Sequence, residues 1–225
     1  VSAAKDILKI LGKQDYFVNG YFSYDSKKSG GVTVSNLRLS KTKIEAPFYV
    51  TKPKLIVVTK DEYFKKFRML EQIVLDGTLI INTSLNEEEL GNLISFHDLE
   101  IINKRNIHVY VIDANKIAKE AGIKGKISKI IEMLILDKLN ITNGLELLKN
   151  SIQIAFRTKG ENIVTSNIDA ILKAKENLKE VHIVNQKVDT LEENLDVISK
   201  INRRLGDTLT VREVASFKDG TFPNG

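Results

Sequence analysis

A chain of 225 residues with a net charge of +5 and no cysteine suits one large α/β domain, or one domain with an appendage. Without thiolates it cannot ligate an iron–sulfur cluster or a thiolate zinc site, and it cannot form a disulfide. No apolar run approaches a membrane span, and the apolar start "VSAAKDILKILGKQD" is short, broken by charge and without a signal-peptide cleavage site, so a cytoplasmic protein is expected.

The chain opens on "SAAKDILKILGK", which reads as a helix. Ser2 is a candidate cap, Ala4, Ile7, Leu8 and Leu11 form one apolar face, and Gly12 is a candidate stop. The aromatic-rich run "YFVNGYFSY" follows as a strand. A loop rich in Lys, Ser and Gly comes next, then "VTVSNLRL", whose Val32, Val34 and Leu37 mark a strand face. Two strands around such a loop predict a hairpin or a long crossover.

From residue 54 the rhythm changes. "LIVV" (55–58) precedes a helical "DEYFKKFRML". "GTLIIN" (77–82) precedes "NEEELGNLI", with Asn86 as a candidate cap, and "HVYVID" (108–113) precedes "ANKIAKEAG", stopped at Gly122. Short apolar strands alternating with helices predict a three-layer α/β domain, with a mainly parallel or mixed central sheet and helices on both faces. Residues 127 to about 178 read as helical, with breaks at Asn143-Gly144 and Lys159-Gly160. "VHIV" (181–184) is a last short strand, and 188–205 reads as one more helix ended near Gly206. The tail "ASFKDGTFPNG" has neither helical nor strand period. The domain is expected over 1–185, with a C-terminal helix and linker over 186–225. The start at Val1 and the stop in a turn read as a piece of something longer.

Positive charge gathers at the N-terminal end, where residues 1–60 carry 11 lysines and arginines against 4 acids. A local field of that sign attracts an anion. No nucleic-acid motif is visible, so a phosphorylated small molecule suits it better than nucleic acid; a solvated basic face that binds nothing is the plain alternative. Catalytic signatures are mostly absent: no phosphate-loop motif, no nucleophile elbow, no H-E-x-x-H. Glu87, Glu88 and Glu89 fall in the first turn of a predicted helix, where they complement its dipole. His97, His108 and His182 are scattered, and ordinary structural roles are expected of them.

The stretch "YDSKKSGGVTV" is the candidate ligand site. Gly30 and Gly31 let backbone N–H groups converge on one point, Ser26 and Ser29 add hydroxyl donors, and Lys27 and Lys28 add charge suited to phosphate. Lys5 stands in the first turn of the first helix, itself a place for an anion. From the residues alone, a surface turn remains the alternative.

"AAKDILKILG", "YFSYDSKKSGGVTVSNLR", "VIDANKIAKEAG" and "DGTFPNG" resemble, in the same order along nearly the whole chain, the third domain of the single-chain pyruvate:ferredoxin (flavodoxin) oxidoreductases. In the multi-subunit 2-oxoacid:ferredoxin oxidoreductases the corresponding part is the gamma subunit. The resemblance implies an electron-transport enzyme that converts pyruvate and coenzyme A to acetyl-CoA and CO2 while reducing ferredoxin or flavodoxin. It implies thiamine diphosphate, Mg2+ and [4Fe-4S] clusters held by other domains, none of them by this chain, and a homodimeric whole. "DGTFP" is similar to the junction before the iron–sulfur region. The gamma-type domain is associated with coenzyme A, which places Lys5, Lys27, Lys28, Ser29, Gly30, Gly31 and Arg38 as expected CoA contacts, with no catalytic residue and no metal ligand. Ser2, Ala4 and Ser128 depart from the family pattern, where glycine, asparagine and asparagine are usual. A structural spacer without ligand contact, or a stand-alone phosphate-ligand-binding module, is the rival reading.

Overall fold

The computed structural model describes residues 1–24, 32–45, 49–123, 125–183, 196–202, 206–215 and 217. The first helix, α1 (Ser2–Leu11), buries Ala4, Ile7, Ile10 and Leu11 on one side. Its first turn starts at Val1, whose carbonyl accepts from Lys5 N at 3.0 Å, so Ser2 lies inside the helix and does not cap it. Gly12 closes the helix as expected. Strands β1 (Phe17–Tyr24) and β2 (Thr33–Ser40) pair antiparallel from Phe17↔Ser40 to Tyr24↔Thr33. They form their own two-stranded sheet.

The central sheet has the order β3 (Leu55–Val58), β4 (Thr78–Asn82), β5 (His108–Ile112), β6 (Lys179–Val181). The first three strands run parallel, as the helical crossovers demand, and the short edge strand β6 is antiparallel. Side chains alternate across the sheet. Leu79 and Ile81 point into one core layer with Phe64, Leu90, Leu99 and Ile102, while Ile80 points into the other with Ile117, Ile130 and Leu134. Helices α2 (Glu87–Leu93) and α3 (Phe96–Lys104) cover the first face. The second face carries α4 (Ala114–Glu120), α5 (Ser128–Lys138) and α7 (Glu161–Asn177). Three layers therefore form, as expected. Helix α6 (Gly144–Phe156) joins α1 and the hairpin around a third cluster that includes Ile7, Leu11, Leu148 and Ile152. Short helices α8 (Val197–Asn202) and α9 (Val211–Val214) complete the described residues.

Several boundaries differ from the sequence reading. The expected helix over "DEYFKKFRML" is only a short 3-10 helix, Asp61–Lys65. Beyond it the backbone finds partners outside helical order. The Arg105 guanidinium, from the end of α3, donates to Glu71 O at 2.9 Å and Ile73 O at 2.6 Å, and Val74 N donates to Pro53 O at 3.1 Å. This lets Leu70 and Ile73 sink into the core without a helix beneath them. Of the helix expected over 188–205, the described part is Val197–Asn202, at whose start the Asp196 carboxylate accepts from Ser199 N at 2.7 Å; residues 184–195 and 203–205 lie outside the described residues. In place of the strand expected at 181–184, the described strand is Lys179–Val181, and residue 184 lies outside the described residues. Helix α3 was not foreseen, although Ser95 accepts from Asp98 N at 3.1 Å as its cap.

Replacing Arg105 with Met keeps the aliphatic stem and removes both donors. Two backbone carbonyls then lose charged partners, and the loss in unfolding free energy is expected at about 1–3 kcal/mol, read by urea denaturation.

Candidate functional site

The candidate site starts at the front of α1. Lys5 is exposed and its Nζ stands 5.5 Å from the centroid of the Phe22 ring on β1. No carboxylate pairs with it among the described residues. Its neighbour Asp6 faces the other way, onto Lys129 Nζ at 2.9 Å. The hairpin lies close against α1 because Gly20 has no side chain: a Cβ there would meet Leu8 Cδ1 at 2.3 Å. Phe22 is two residues from Tyr24, the last described residue of β1. Lys5 therefore stands beside the strand that leads to the loop. The loop residues Lys27, Lys28, Ser29, Gly30 and Gly31 lie outside the described residues.

Arg38 is placed differently. It pairs in register with Asn19, and Phe22 pairs with Ser35. Alternation puts Arg38 on the face of the hairpin opposite to Phe22 and Lys5. Five residues separate it from Thr33, roughly 17 Å of strand. Its Nη2 donates to Tyr49 O at 3.2 Å, and the Tyr49 ring packs edge-on against Tyr21 with centroids 4.5 Å apart. Arg38 thus fastens the segment at Tyr49 to the outer face of the hairpin, and the structure does not bring it together with Lys5. Ser128 is the first residue of α5, and the turn before it uses Gly122 and Gly125 at positive φ.

The sequence reading missed the charged cluster beneath α1. Lys129 and Glu132 are buried in α5, and Lys129 Nζ donates to Glu132 Oε2 at 2.8 Å as well as to Asp6. Glu132 is fully buried, and its Oε1 has no hydrogen-bond partner among the described residues. Burial pushes the Glu132 carboxyl up to about 8, against the pull of Lys129. For Lys129 burial opposes the charge, but Glu132 and Asp6 outweigh it and raise the ammonium pKa. Burial thus favours the protonated form of Glu132 beside Lys129, whose ammonium also meets Asp6. The signal was present in "SKIIEMLILDK": a helix apolar on all sides is enclosed, so a Lys and a Glu three residues apart within it belong to a buried pair.

Site and fold together define an α/β domain: a mixed four-stranded sheet between helices, carrying a hairpin on its first helix. Residues 1–177 match the family model described as pyruvate ferredoxin/flavodoxin oxidoreductase, and the chain belongs to that family. It is 32% identical over 240 residues to the pyruvate-flavodoxin oxidoreductase of Enterobacter agglomerans, covering all of this chain and 20% of that protein. It is 31% identical over 240 residues to the pyruvate:ferredoxin oxidoreductase of Moorella thermoacetica, again covering all of this chain and 20% of that protein. The chain spans about a fifth of the length of the curated relatives it matches. Among solved structures, pyruvate oxidoreductase subunit PORC of Thermotoga maritima superposes with a TM-score of 0.61 at 18% identity, over 80% of this chain and 90% of that one. The 2-oxoglutarate:ferredoxin oxidoreductase of Magnetococcus marinus, solved with 2-oxoglutarate, coenzyme A and succinyl-CoA bound, superposes with a TM-score of 0.59 at 15% identity, over 78% of this chain and 28% of that one. These two likenesses are of fold.

The Glu132 carboxyl binds its proton more tightly in the folded chain than at its ordinary value of 4.5. Its contribution to stability is therefore full below pH 4.5, falls as the pH rises towards 8, and is gone above that. Glu132→Gln cannot ionise. The difference in unfolding free energy between parent and variant should drift in favour of the variant across that window and level off beyond it, in urea titrations at each pH. A difference that is constant with pH would mean that Glu132 does not titrate there.

Proposed function

We propose that the chain is the coenzyme-A-contacting domain of an enzyme that converts pyruvate, coenzyme A and an oxidised acceptor to acetyl-CoA, CO2 and reduced ferredoxin or flavodoxin. The observation that carries this is the placement of Lys5. Its ammonium is unpaired among the described residues and stands on Phe22, beside the strand that runs into Lys27–Gly31. Lys5 and the loop residues Lys27, Lys28, Ser29, Gly30 and Gly31 face the CoA phosphates. An ammonium suits a phosphate as a point charge, and the two glycines permit close approach of the main chain. Arg38, on the other face, holds the Tyr49 segment in place. Family membership and the coenzyme A bound by the Magnetococcus marinus enzyme support the reading.

The domain binds and positions; it breaks no bond. The residues present do not fit an iron–sulfur cluster, since the chain has no cysteine, and no group of three metal-binding side chains occurs among the described residues. Thiamine diphosphate, Mg2+ and the [4Fe-4S] clusters belong to other domains of a longer, homodimeric, cytoplasmic protein. Residues 1–185 form the gamma-type domain within it, and 186–225 lead to the iron–sulfur region. No helix among the described residues is long and apolar enough to cross a membrane. The second reading, a spacer that packs on a neighbouring domain, draws on the exposed rings of Phe17, Tyr21 and Tyr49 along the hairpin.

In the intact enzyme, replacing Lys27 and Lys28 together with Ala should raise KM for CoA about fivefold or more and leave KM for pyruvate nearly unchanged, taking roughly 0.5–1 kcal/mol for each exposed charged contact. The effect should shrink as salt is added. A double variant that handles CoA like the parent would favour the spacer.

A second outcome concerns the division of labour. The 225-residue chain purified alone should contain no stoichiometric iron by metal analysis and should not oxidise pyruvate when thiamine diphosphate and Mg2+ are added. Turnover by the chain alone would move the chemistry into this domain.

A further inference from the structure

Away from the hairpin, the three parallel strands end at a crevice of about 560 Å3. The chain leaves β4 towards α2 on one face of the sheet and leaves β5 into α4 on the other. Adjacent parallel strands whose continuations depart to opposite faces open a gap beyond their carboxyl ends, and open α/β sheets bind ligands in such gaps.

The floor of the crevice is polar and fixed. Asn82 and Thr83 are both buried. Asn82 Nδ2 donates to Thr59 O at 3.0 Å, and its Oδ1 accepts from Ala114 N at 2.9 Å, so one side chain ties the ends of β3 and β5 to β4. The Thr83 hydroxyl donates to Asp61 Oδ2 at 2.5 Å and accepts from Leu85 N at 3.0 Å.

The charges on the rim are not balanced in use. Asp61 already accepts from Thr83, and Asp113 accepts from Lys116 N at 2.8 Å. Three lysines line the same crevice, Lys60 after β3 and Lys116 and Lys119 on α4, all exposed. None of the three ammonium groups pairs with a carboxylate among the described residues. Ser84, Asn115 and Glu62 line it as well, with hydroxyl, amide and carboxylate groups able to meet hydroxyls.

We propose that this crevice is a second ligand site, for a small phosphorylated polyhydroxy compound of sugar-phosphate size, held at its phosphate by Lys60 and Lys119 and at its hydroxyls by the polar groups between. The volume fits such a molecule. The site shares no residue with the α1–hairpin region, so it neither needs CoA nor competes with it.

The test is titration of the protein at its natural length with ribose 5-phosphate, inorganic phosphate and ribose, followed by calorimetry and amide chemical shifts. Ribose 5-phosphate should saturate, phosphate should bind more weakly, and ribose should not bind. Replacing Lys60 and Lys119 together with Ala should weaken ribose 5-phosphate about tenfold, a change of roughly 1.4 kcal/mol. The Arg pair at the same positions should restore most of it. Both lysines are exposed, so circular dichroism and thermal unfolding should match the parent. The same variant should leave KM for CoA unchanged, and Lys27→Ala with Lys28→Ala should leave ribose 5-phosphate binding unchanged. That separates failure of this site from failure of the CoA reading. Equal binding of phosphate and ribose 5-phosphate, binding that ignores the lysine substitutions, or no saturation would each overturn the proposal.

Discussion

The Lys129 ammonium joins α5 to α1 through Asp6. It stands in α5, which is enclosed between the sheet and the α1–hairpin unit, and it reaches Asp6 on α1. Ile130, Ile131 and Leu134 of α5 belong to the layer beneath the sheet, while Met133 and Leu136 belong to the cluster under the hairpin. Apolar packing of this kind fixes how closely α1 approaches but tolerates a slide along the helix axis. A buried ion pair does not, because a small slide leaves a charge without its partner in a low-dielectric surround. The register of α1 on α5 follows, and with it the register of Lys5 on Phe22. The ion pair contributes position more than net stability, since the desolvation of Lys129 offsets much of its attraction to Asp6.

Much of this fold was legible because its signals are local. β3, β4 and β5 are continuous apolar runs, as strands buried on both faces should be. Asn86 read as a cap, and it accepts from Glu89 N at 2.9 Å while Glu89 returns a bond to Asn86 N at 2.9 Å. What could not be read was set at a distance. "DEYFKKFRML" has the spacing of a helix, but Arg105, more than thirty residues later, takes the carbonyls of Glu71 and Ile73. α3 was a different kind of miss. Ser95 followed three residues on by Asp98 is a local start signal that stood in plain view. At the candidate site, the local chemistry of Lys5 was legible. The separation of Arg38 from it was not, because a one-residue change of register moves a side chain to the other face of a strand.

The positive charge of the N-terminal third also has a structural explanation. Two of its lysines rest on rings rather than on carboxylates. Lys5 stands over Phe22 and Lys41 over Tyr16, the latter 3.6 Å from the ring centroid. A cation on an aromatic face is held without being neutralised, since the ring offers a quadrupole and no net charge. The field of Lys5 and Lys41 therefore remains available to an anion, whereas Lys104, Lys149 and Lys173 on the later helices pair with acids one helical turn away. A lysine held on a ring keeps its field, and one paired with an acid is screened.

The hairpin is built to serve two neighbours at once. On the inner face, Val18, Leu37 and Leu39 pack onto the cluster around Ile7 and Leu11, with Gly20 allowing the close approach. On the outer face Tyr21, Tyr49 and Arg38 form a partly exposed array of the residue types that dominate protein interfaces. The two faces follow from strict alternation along both strands, so neither can be changed by sliding the strands without exposing the other. The hairpin takes its placement from the inner face, through α1, Asp6 and Lys129. A contact made on the outer face would be felt at α1 through that same pair of strands, so the two faces are mechanically linked although they point in opposite directions.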